Sequence, residues 1–329
     1  MPRLFTRRRA ISVLVALFVV LIIVLIGAVS WGAAGWSFGP GRGSFDIIIW
    51  QIRLPRAILA ILVGASLAVA GVVYQALFKN PMADPYILGV SAGAGLGASL
   101  GIMLHVGQNA LGFYATPLLA FAGGLGTIIL VYQIARVGGR VPMMSLLLAG
   151  LALSATLAAL MSLVMVLGGK DMQTVVFWLM GGLSAATWDK VKMALPFAVV
   201  GLAIPFLYVR ELDTMLLGEE RAQNLGVDTE RVRGVLLVAA SMMTAAAVAV
   251  SGLIGFIGMM VPHIVRLIIG PAHKWLIPAS LLSGATLLVL TDTLARSVMR
   301  PVEIPVGIVT AILGGPFFLF LLFKKRGSF

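Results

Sequence analysis

Ten apolar segments, most of them long, constrain this chain more than any other feature. A helix needs about 20 apolar residues to cross the hydrocarbon core of a bilayer, and in lipid its backbone groups must be paired within the helix itself. Charged residues make up only 11% of the chain, too few to cover a water-soluble domain. The sequence therefore predicts an all-α, polytopic membrane helical bundle of about ten transmembrane helices, in one domain, 1–329. The apolar segments lie near 10–31, 55–77, 86–104, 113–135, 143–167, 191–209, 234–252, 256–269, 275–296 and 305–323.

Glycines mark two of these segments as unusual. The third carries a glycine at every fourth position from Gly89 to Gly101, a spacing that lets neighbouring helix backbones approach closely. The eighth, 256–269, is short and follows a series of spaced glycines that begins at Gly252. We expect the eighth segment to be a half-span or a reoriented helix.

Basic residues predict which side of the membrane each loop occupies. If Arg7 to Arg9 lie in the cytoplasm, ten crossings return Lys324 to Arg326 to the same side, and sixteen of the 24 basic residues then lie inside. Cytoplasmic loops of membrane proteins are enriched in Lys and Arg. The distribution therefore favours an orientation with both termini in the cytoplasm.

One long polar stretch, 210–233, interrupts the second half of the chain. It carries six of the twelve acidic residues and four arginines, and the orientation above places it in the cytoplasm. It has the pattern of two short helices outside the lipid, which makes it a candidate docking surface; we call it the cytoplasmic loop. The chain has no GxxxxGK[ST] phosphate loop, because the nearest candidate, 168–171, lacks the leading glycine spacing and the hydroxyl. Energy for transport would therefore enter through a partner that binds this loop.

Four arginines lie at the outer face and therefore depart from the enrichment of Lys and Arg in cytoplasmic loops. Arg53 and Arg56 fall at the outer mouth of the second segment, and Arg296 and Arg300 fall at the outer end of the ninth. Guanidinium groups form bidentate pairs with carboxylates, so an acidic partner could bind there. Snorkelling to the membrane interface explains the same residues without a partner. The residues alone leave both interpretations open.

Few groups within the membrane segments could carry chemistry. Asp292 and Arg296 are spaced to pair along one helix face, although an ionisable group inside a membrane is also a functional candidate. The three histidines lack metal-ligand spacing, so no metal site is expected, and no catalytic motif is visible. Asn80 and Asp84, between segments two and three, are expected to be caps or turn formers, with a gate as the alternative.

Motifs in one collinear order resemble the FecCD-type permeases, the membrane subunits of ATP-binding-cassette (ABC) importers for iron siderophores, haem and cobalamin. Each motif alone is weak, but the combination is specific, and it covers essentially the whole chain. The matching residues are Arg53-Leu-Pro-Arg56, Gly64 to Gly71, Gln75, Asn80 to Pro85, Leu88-Gly89, Trp178 to Leu183, Leu217 to Ala222, Leu225 to Val227, Gly255 to Gly258, Pro262-His263, Arg266, Asp292, Arg296, Glu303 to Gly307 and Gly314 to Phe317.

The resemblance implies roles for particular residues. Part of the cytoplasmic loop would sit in a cleft of the ATPase subunit, namely Leu217, Gly218, Glu219, Glu220, Arg221, Ala222, Leu225 and Gly226. The outer arginines Arg53, Arg56 and Arg296 would receive carboxylates from a periplasmic or lipid-anchored binding protein. The residues near the cytoplasmic gate would be Asn80, Pro81, Met82, Met143 and Met144, with bulky thioethers where small polar residues also occur in the family. The flanking charges, Arg210 to Asp213 and Asp228 to Arg233, are expected to be solvated helix ends.

The resemblance also implies an assembly. It predicts a type II ABC importer permease that works as a homodimer in a bacterial inner membrane, with two ATPase subunits, one binding protein and no nucleic acid. Neither enzyme activity nor a cofactor is expected in this chain, since Mg-ATP would bind the partner ATPase. Two alternatives are a proton-coupled secondary transporter that uses Asp292 or Glu303, and a structural or partner-binding membrane subunit.

Overall fold

The apolar segments of the sequence fold into helices. The computed structural model describes residues 7–32, 35–36, 47–106, 114–138, 141–299 and 301–326. Within these ranges there are thirteen α-helices, together with one small antiparallel ribbon of strands β1 (Trp31–Gly32) and β2 (Gly35–Trp36). The helices are α1 (Arg7–Ser30), α2 (Ile48–Leu77, with its first six residues π-helical), α3 (Val90–Met103), α4 (Ala115–Ala135), α5 (Met143–Leu167), α6 (Met172–Leu179), α7 (Trp188–Leu207), α8 (Val209–Met215), α9 (Glu219–Asn224), α10 (Thr229–Ser251), α11 (Ile257–Ile269), α12 (His273–Ala295) and α13 (Val306–Arg326).

Ten of the described helices are the apolar ones that the sequence predicts. Seven are long enough to cross a membrane, and the shorter three are α3, α11 and the apolar part of α13, Val306–Leu321. The 13 residues of α11 extend about 20 Å at 1.5 Å per residue, against a hydrocarbon core of about 30 Å. The eighth segment is therefore a helix shorter than a full span, which fits both of its interpretations, a half-span or a reoriented helix.

The centre of the bundle is α2. Within its membrane window 83% of the residues are buried, against 78% for α10 and 61% for α12. The corresponding fractions for α1 and α5 are only 11% and 6%. Since lipid tails are as apolar as leucine side chains, such uncovered faces suit either lipid or another membrane subunit.

Glycines let α2 touch its neighbours backbone to backbone. A Cβ on Gly64 would clash with the carbonyl oxygen of Gly284 in α12, and a Cβ on Gly284 would clash with that of Gly64. Gly71 approaches Gly258 of α11 in the same way. Close crossings at small residues are how helices associate in lipid, where the hydrophobic effect gives them little drive to pack together.

The predicted glycine ridge of the third segment has the same role. A Cβ on Gly93 would clash with the carbonyl oxygen of Gly123 in α4, and a Cβ on Gly97 would clash with that of Leu119. The ridge is thus confirmed as a helix-packing surface between α3 and α4.

Extended backbone interrupts the helices between α10 and α11. Gly252 and Phe256 both have φ near +70°, a region that costs free energy for a bulky side chain. The N–H of Gly182 donates to the carbonyl oxygen of Ser251 at 2.7 Å and fixes this segment to the loop after α6. Irregular backbone at membrane depth occurs where protein buries it or where it lines a cavity. The segment between α10 and α11 is therefore a candidate part of a functional site.

Candidate functional site at the two polar ends of the bundle

The outer mouth of the bundle is built around a buried arginine. Arg56 in α2 places Nη2 2.9 Å from Oδ1 of Asp292 in α12, and Nη1 2.9 Å from Oε2 of Glu303. The side chains of Arg56, Asp292 and Glu303 are 8%, 4% and 34% exposed. Carboxylates from two segments therefore hold one guanidinium in the bidentate geometry that arginine favours. We call these three residues the outer cluster.

Two further arginines close the C-terminal end of α1. Arg53 donates from Nη1 to the carbonyl oxygens of Val29 and Ser30, each at 2.9 Å, and Arg296 donates from Nη2 to that of Ala28. The last carbonyl groups of a helix have no partner within the helix and attract cations, and the last turn of α1 has no basic residue of its own. Arg53 and Arg296 therefore cap α1 from neighbouring segments.

All three arginines that the resemblance assigns to docking are buried. Arg53, Arg56 and Arg296 are 4%, 7% and 5% exposed, and each bonds within the chain. Snorkelling is therefore the wrong explanation for them, because a snorkelling guanidinium group lies in solvent and these three residues are buried within the protein. Docking stays a prediction, and a partner's carboxylate would have to exchange with one of these bonds. Arg300 lies outside the described residues.

Asp292 contacts Arg296, as its sequence spacing predicts, but this contact is the weaker of its two ion pairs. Nε of Arg296 lies 3.9 Å from Oδ2 of Asp292, whereas Arg56 contacts the same carboxylate at 2.9 Å. The stronger partner is 236 residues away in sequence, so helical spacing gives no indication of it. The only available signal was that Arg56, Asp292 and Glu303 fall at the same outer level of the predicted topology.

A cavity of about 330 Å³ opens beside the outer cluster. Arg56 and Glu303 line one side, and Trp178, Ser251 and Lys190 are among the residues that line the rest. Lys190 is half-buried, and in the described part of the chain no carboxylate lies within ion-pairing distance of its ammonium group. Asp292 and Glu303 already neutralise Arg56, so Lys190 is the group of this lining that favours an anion in the cavity.

The cytoplasmic loop forms the two short helices that its sequence pattern indicates. α8 and α9 are separated by residues 216–218, the last of which is Gly218, whose φ of +113° suits glycine. Leu217 and Leu225 are 56% and 66% exposed, and Glu220 between them is exposed as well. Ala222 is fully buried, so it packs the loop from inside and does not reach the surface. Exposed apolar side chains with a polar surround are typical of a protein-binding surface.

Two charges beside this surface have partners within the protein. Arg233 is 6% exposed and pairs with Glu219 at 2.9 Å and with Glu230 at 3.2 Å. Asp213 accepts a hydrogen bond from the backbone N–H of His273 at 2.9 Å and contacts Nδ1 of its ring at 2.7 Å. The expectation of solvated ends is therefore wrong for Arg233, which is buried, whereas the side chain of Asp213 is 39% exposed and also bonds to His273. The loop folds back onto α10 and α12, and charges that become buried in this way need partners.

His273 also sets the ionisation of Asp213. Partial burial by itself raises the pKa of this carboxyl, but the hydrogen bonds and charge of His273 outweigh burial, so the pKa lies below its ordinary value. The carboxylate lies at the N-terminus of α12, where the helix dipole also favours negative charge. Asp213 thus caps α12 from the cytoplasmic loop.

The turn between α2 and α3 has the structure that its sequence predicts. Oδ1 of Asn80 accepts the N–H of Met82 at 3.0 Å, and Oδ1 of Asp84 accepts that of Tyr86 at 2.7 Å. Both are Asx turns, in which the side chain bonds to the backbone two residues further on. The role of Asn80 and Asp84 as turn formers is confirmed.

The residues assigned to a cytoplasmic gate lie at two places. Pro81 and Met82 belong to the turn just described, with Pro81 exposed and Met82 half-buried. Met143 and Met144 begin α5, where Met144 is 68% exposed. A gate formed by these residues stays a prediction.

The helical fold, with seven described helices long and apolar enough to cross a bilayer, defines a multi-pass membrane protein. A family model described as the FecCD transport family matches residues 13–324. The chain belongs to this family.

Curated relatives and one solved structure agree with this membership. The cobalamin import system permease protein BtuC of Halobacterium salinarum is 45% identical over 91% of this chain and 81% of its own length. The Fe(3+)-citrate import system permease protein YfmE of Bacillus subtilis is 40% identical over 98% of each chain, and the hemin transport system permease protein HmuU of Yersinia pestis is 39% identical over 94% of this chain and 95% of its own length. An inward-facing structure of an ABC transporter assigned to the metal-chelate type has a TM-score of 0.86 and 32% identity, and covers 95% of this chain and 99% of that one.

The chain is therefore a membrane-spanning permease subunit of an ABC importer, a transporter rather than an enzyme. A proton-coupled mechanism has no support in the site, because Arg56 holds both carboxylates that would have to titrate, Asp292 and Glu303.

Proposed function

We propose that this chain, as a homodimer, forms the path of a metal chelate that an acidic binding protein delivers at the outer face, driven by ATPase subunits at the cytoplasmic loop. The cargo would be of the class named for the relatives, an iron siderophore, haem or a cobalamin-type chelate. The observation that carries the proposal is the exposed pair Leu217 and Leu225 on a charged loop, at the end of the bundle opposite the outer cavity.

The cytoplasmic loop is where the ATPase subunits would bind. Its contact surface consists of the seven assigned residues other than Ala222, since these reach the surface at least in part. The chain has no phosphate-binding loop, so Mg-ATP would be bound and hydrolysed on those subunits, two per homodimer.

The uncovered faces of two helices support a second copy of this chain. Leu148 and Leu151 in α5 are 59% and 68% exposed, and Ile312 and Phe320 in α13 are 66% and 62% exposed. Apolar faces of this extent suit a helix-to-helix interface within the membrane. The translocation path would then run between the two copies, in the inner membrane of a bacterial cell with the termini in the cytoplasm.

At the outer face, docking would proceed by exchange of ion pairs. Acidic side chains of the binding protein would compete with Asp292 and Glu303 for Arg56, and with backbone carbonyl groups for Arg53 and Arg296. Glu303 is the partner most readily exchanged, because its side chain is 34% exposed and that of Asp292 only 4%. Binding outside and ATP inside would each favour one of two packings of the dimer, as coupling between two sites requires.

The decisive experiment reverses one charge on the cytoplasmic loop. Glu219 is a poor choice because it also pairs with Arg233, whereas Glu220 is exposed and has no ion pair among the described residues. In proteoliposomes with the ATPase and binding protein, Glu220→Arg is expected to weaken binding of the ATPase at least about tenfold, equivalent to about 1.4 kcal/mol, and to reduce ATPase stimulation by the loaded binding protein.

Lys274→Glu is the matched control, since it reverses an exposed charge on the same membrane face outside the loop. Stimulation that is unchanged in Glu220→Arg, or lost equally in Lys274→Glu, would refute the assignment of the loop.

A further inference from the structure

A larger cavity lies at the cytoplasmic end of the bundle, away from the outer cluster. It is a groove of about 680 Å³ between α4, α5, α7 and α10, and most of its lining is aliphatic, with Ile128 and Ile204 among the lining residues. Two other lining residues, Ile129 and Val238, are 56% and 61% exposed. The groove therefore opens sideways, towards the membrane, rather than into the core of the bundle.

Two arginines stand at the polar end of this groove. Arg136 follows the last residue of α4, and Arg231 lies in the first turn of α10. Both are exposed, and in the described ranges neither has a carboxylate within ion-pairing distance. Glu230 is the one acidic side chain in the described lining, and it is already paired with Arg233 at 3.2 Å. The groove thus combines an apolar floor with a positively charged rim.

We propose that this groove binds an anionic phospholipid, with an acyl chain along the apolar floor and the phosphate of the headgroup between Arg136 and Arg231. Basic pockets between transmembrane helices recognise anionic headgroups, and each nearby arginine contributes to the attraction. Because the acyl chain is as well solvated in the bilayer as in the groove, selectivity comes from the headgroup. Two arginines give a preference on the order of tenfold to thirtyfold over a zwitterionic lipid with the same chains.

The bound lipid would act on the cytoplasmic loop through α10. Arg231 lies two residues before Arg233, whose guanidinium holds Glu219 of α9 at 2.9 Å. A phosphate on Arg231 fixes the helical turn that carries Arg233, and so fixes the anchor of the loop. This coupling step rests on the proposed function, because it makes ATPase stimulation depend on anionic lipid. Lipid binding itself does not rest on the proposed function.

The first test measures lipid binding to the purified permease alone. The protein in detergent is mixed with equal amounts of phosphatidylglycerol and phosphatidylcholine of matched chains, and bound lipid is counted by native mass spectrometry. The double variant Arg136→Gln plus Arg231→Gln is expected to lose at least fivefold of its preference for phosphatidylglycerol. Arg7→Gln plus Arg8→Gln, which removes two arginines from the start of α1, is the matched control and is expected to keep it.

A second variant fills the groove without changing charge. A Cβ on Gly234 in α10 would have only the hydroxyl of Tyr132 within 4 Å, at 3.8 Å, so Gly234→Leu fits the helix and projects into the groove. It is expected to lose bound lipid, whereas Gly27→Leu, in an open position on α1, is expected to retain it.

Wild-type lipid retention in both groove variants overturns the proposal. So does an arginine variant that loses the ATPase subunit while it keeps its lipid preference, because the rim would then be a protein contact. Failure of this proposal can be distinguished from failure of the proposed function, because the lipid assay contains neither the ATPase nor the binding protein and does not measure uptake.

Discussion

Replacing Arg56 by methionine removes the cation from the outer cluster and leaves the rest of the bundle in place. Asp292, 4% exposed, would retain only the distant contact to Arg296 at 3.9 Å. Removing one partner of a buried ion pair typically costs about 3–5 kcal/mol, because the remaining charge stays buried without compensation. We expect Arg56→Met to lower the free energy of unfolding by about that amount.

Two companion variants separate charge burial from packing. Glu303→Gln is expected to cost about 1 kcal/mol or less, because the pair of Glu303 with Arg56 is half-open to solvent. Arg56→Met combined with Asp292→Leu removes both charges of the buried pair, and apolar replacement of a whole buried pair is often neutral. Arg296 loses its distant contact to Asp292 but keeps its bond to the carbonyl oxygen of Ala28. The double variant should therefore be more stable than Arg56→Met alone.

The assay is reversible unfolding in mixed micelles, with SDS as the denaturant and helix content followed by circular dichroism. An Arg56→Met variant within about 0.5 kcal/mol of wild type, the range of ordinary surface substitutions, would refute the view that Arg56 neutralises Asp292. A double variant less stable than the single one would refute the same view from the other side.

Three further variants test other contacts in the same assay. Gly71→Leu is expected to lower stability by at least about 1–3 kcal/mol, as overpacking does, because the α2–α11 crossing has no room for a side chain; wild-type stability would show that the crossing is loose. Tyr74→Phe removes the 2.8 Å hydrogen bond between two buried hydroxyl groups, Tyr74 and Ser241, and is expected to cost about 0.5–1.5 kcal/mol, whereas a gain in stability would contradict this. Asp213→Asn is expected to cost up to about 1 kcal/mol at pH 7. Because the folded pKa of Asp213 lies below its ordinary value, its contribution is lost as the pH falls from about 4 through the folded pKa; a difference from wild type that grows as the pH falls below about 4 would contradict this sign.

The membrane helices could be predicted from sequence because hydropathy is a local property. The fifth predicted segment, 143–167, coincides with α5, Met143–Leu167. The third and eighth segments form helices shorter than a full span. The glycine series before Ile257 indicates this for the eighth segment. Length and apolar content set each helix, so neighbouring residues carry nearly all the information needed.

The partners of the polar groups could not be predicted in the same way. Arg56 and Asp292 lie on different helices 236 residues apart. The distribution of Lys and Arg among the loops predicts that both lie near the outer face, but it does not predict that they pair. Arg233 was expected to be solvated, since it sits in a polar stretch, but the loop folds over it. Burial and pairing of charges depend on how helices pack, which one sequence does not reveal.

The crossing of α2 and α12 has a mechanical consequence. Gly284 lies eleven residues from His273 and eleven from Ala295, at the midpoint of the 23-residue α12, which is about 34 Å long at 1.5 Å per residue. One end is joined to the cytoplasmic loop through His273, and near the other end Asp292 holds Arg56. A tilt of about 5° about this midpoint moves each end by about 1.5 Å in opposite directions, from a half-length of about 17 Å. As a lever that turns about Gly284, α12 would pass a displacement of the loop to the outer cluster with reversed sense and at about three quarters of its size, because Asp292 lies nearer to Gly284 than His273 does.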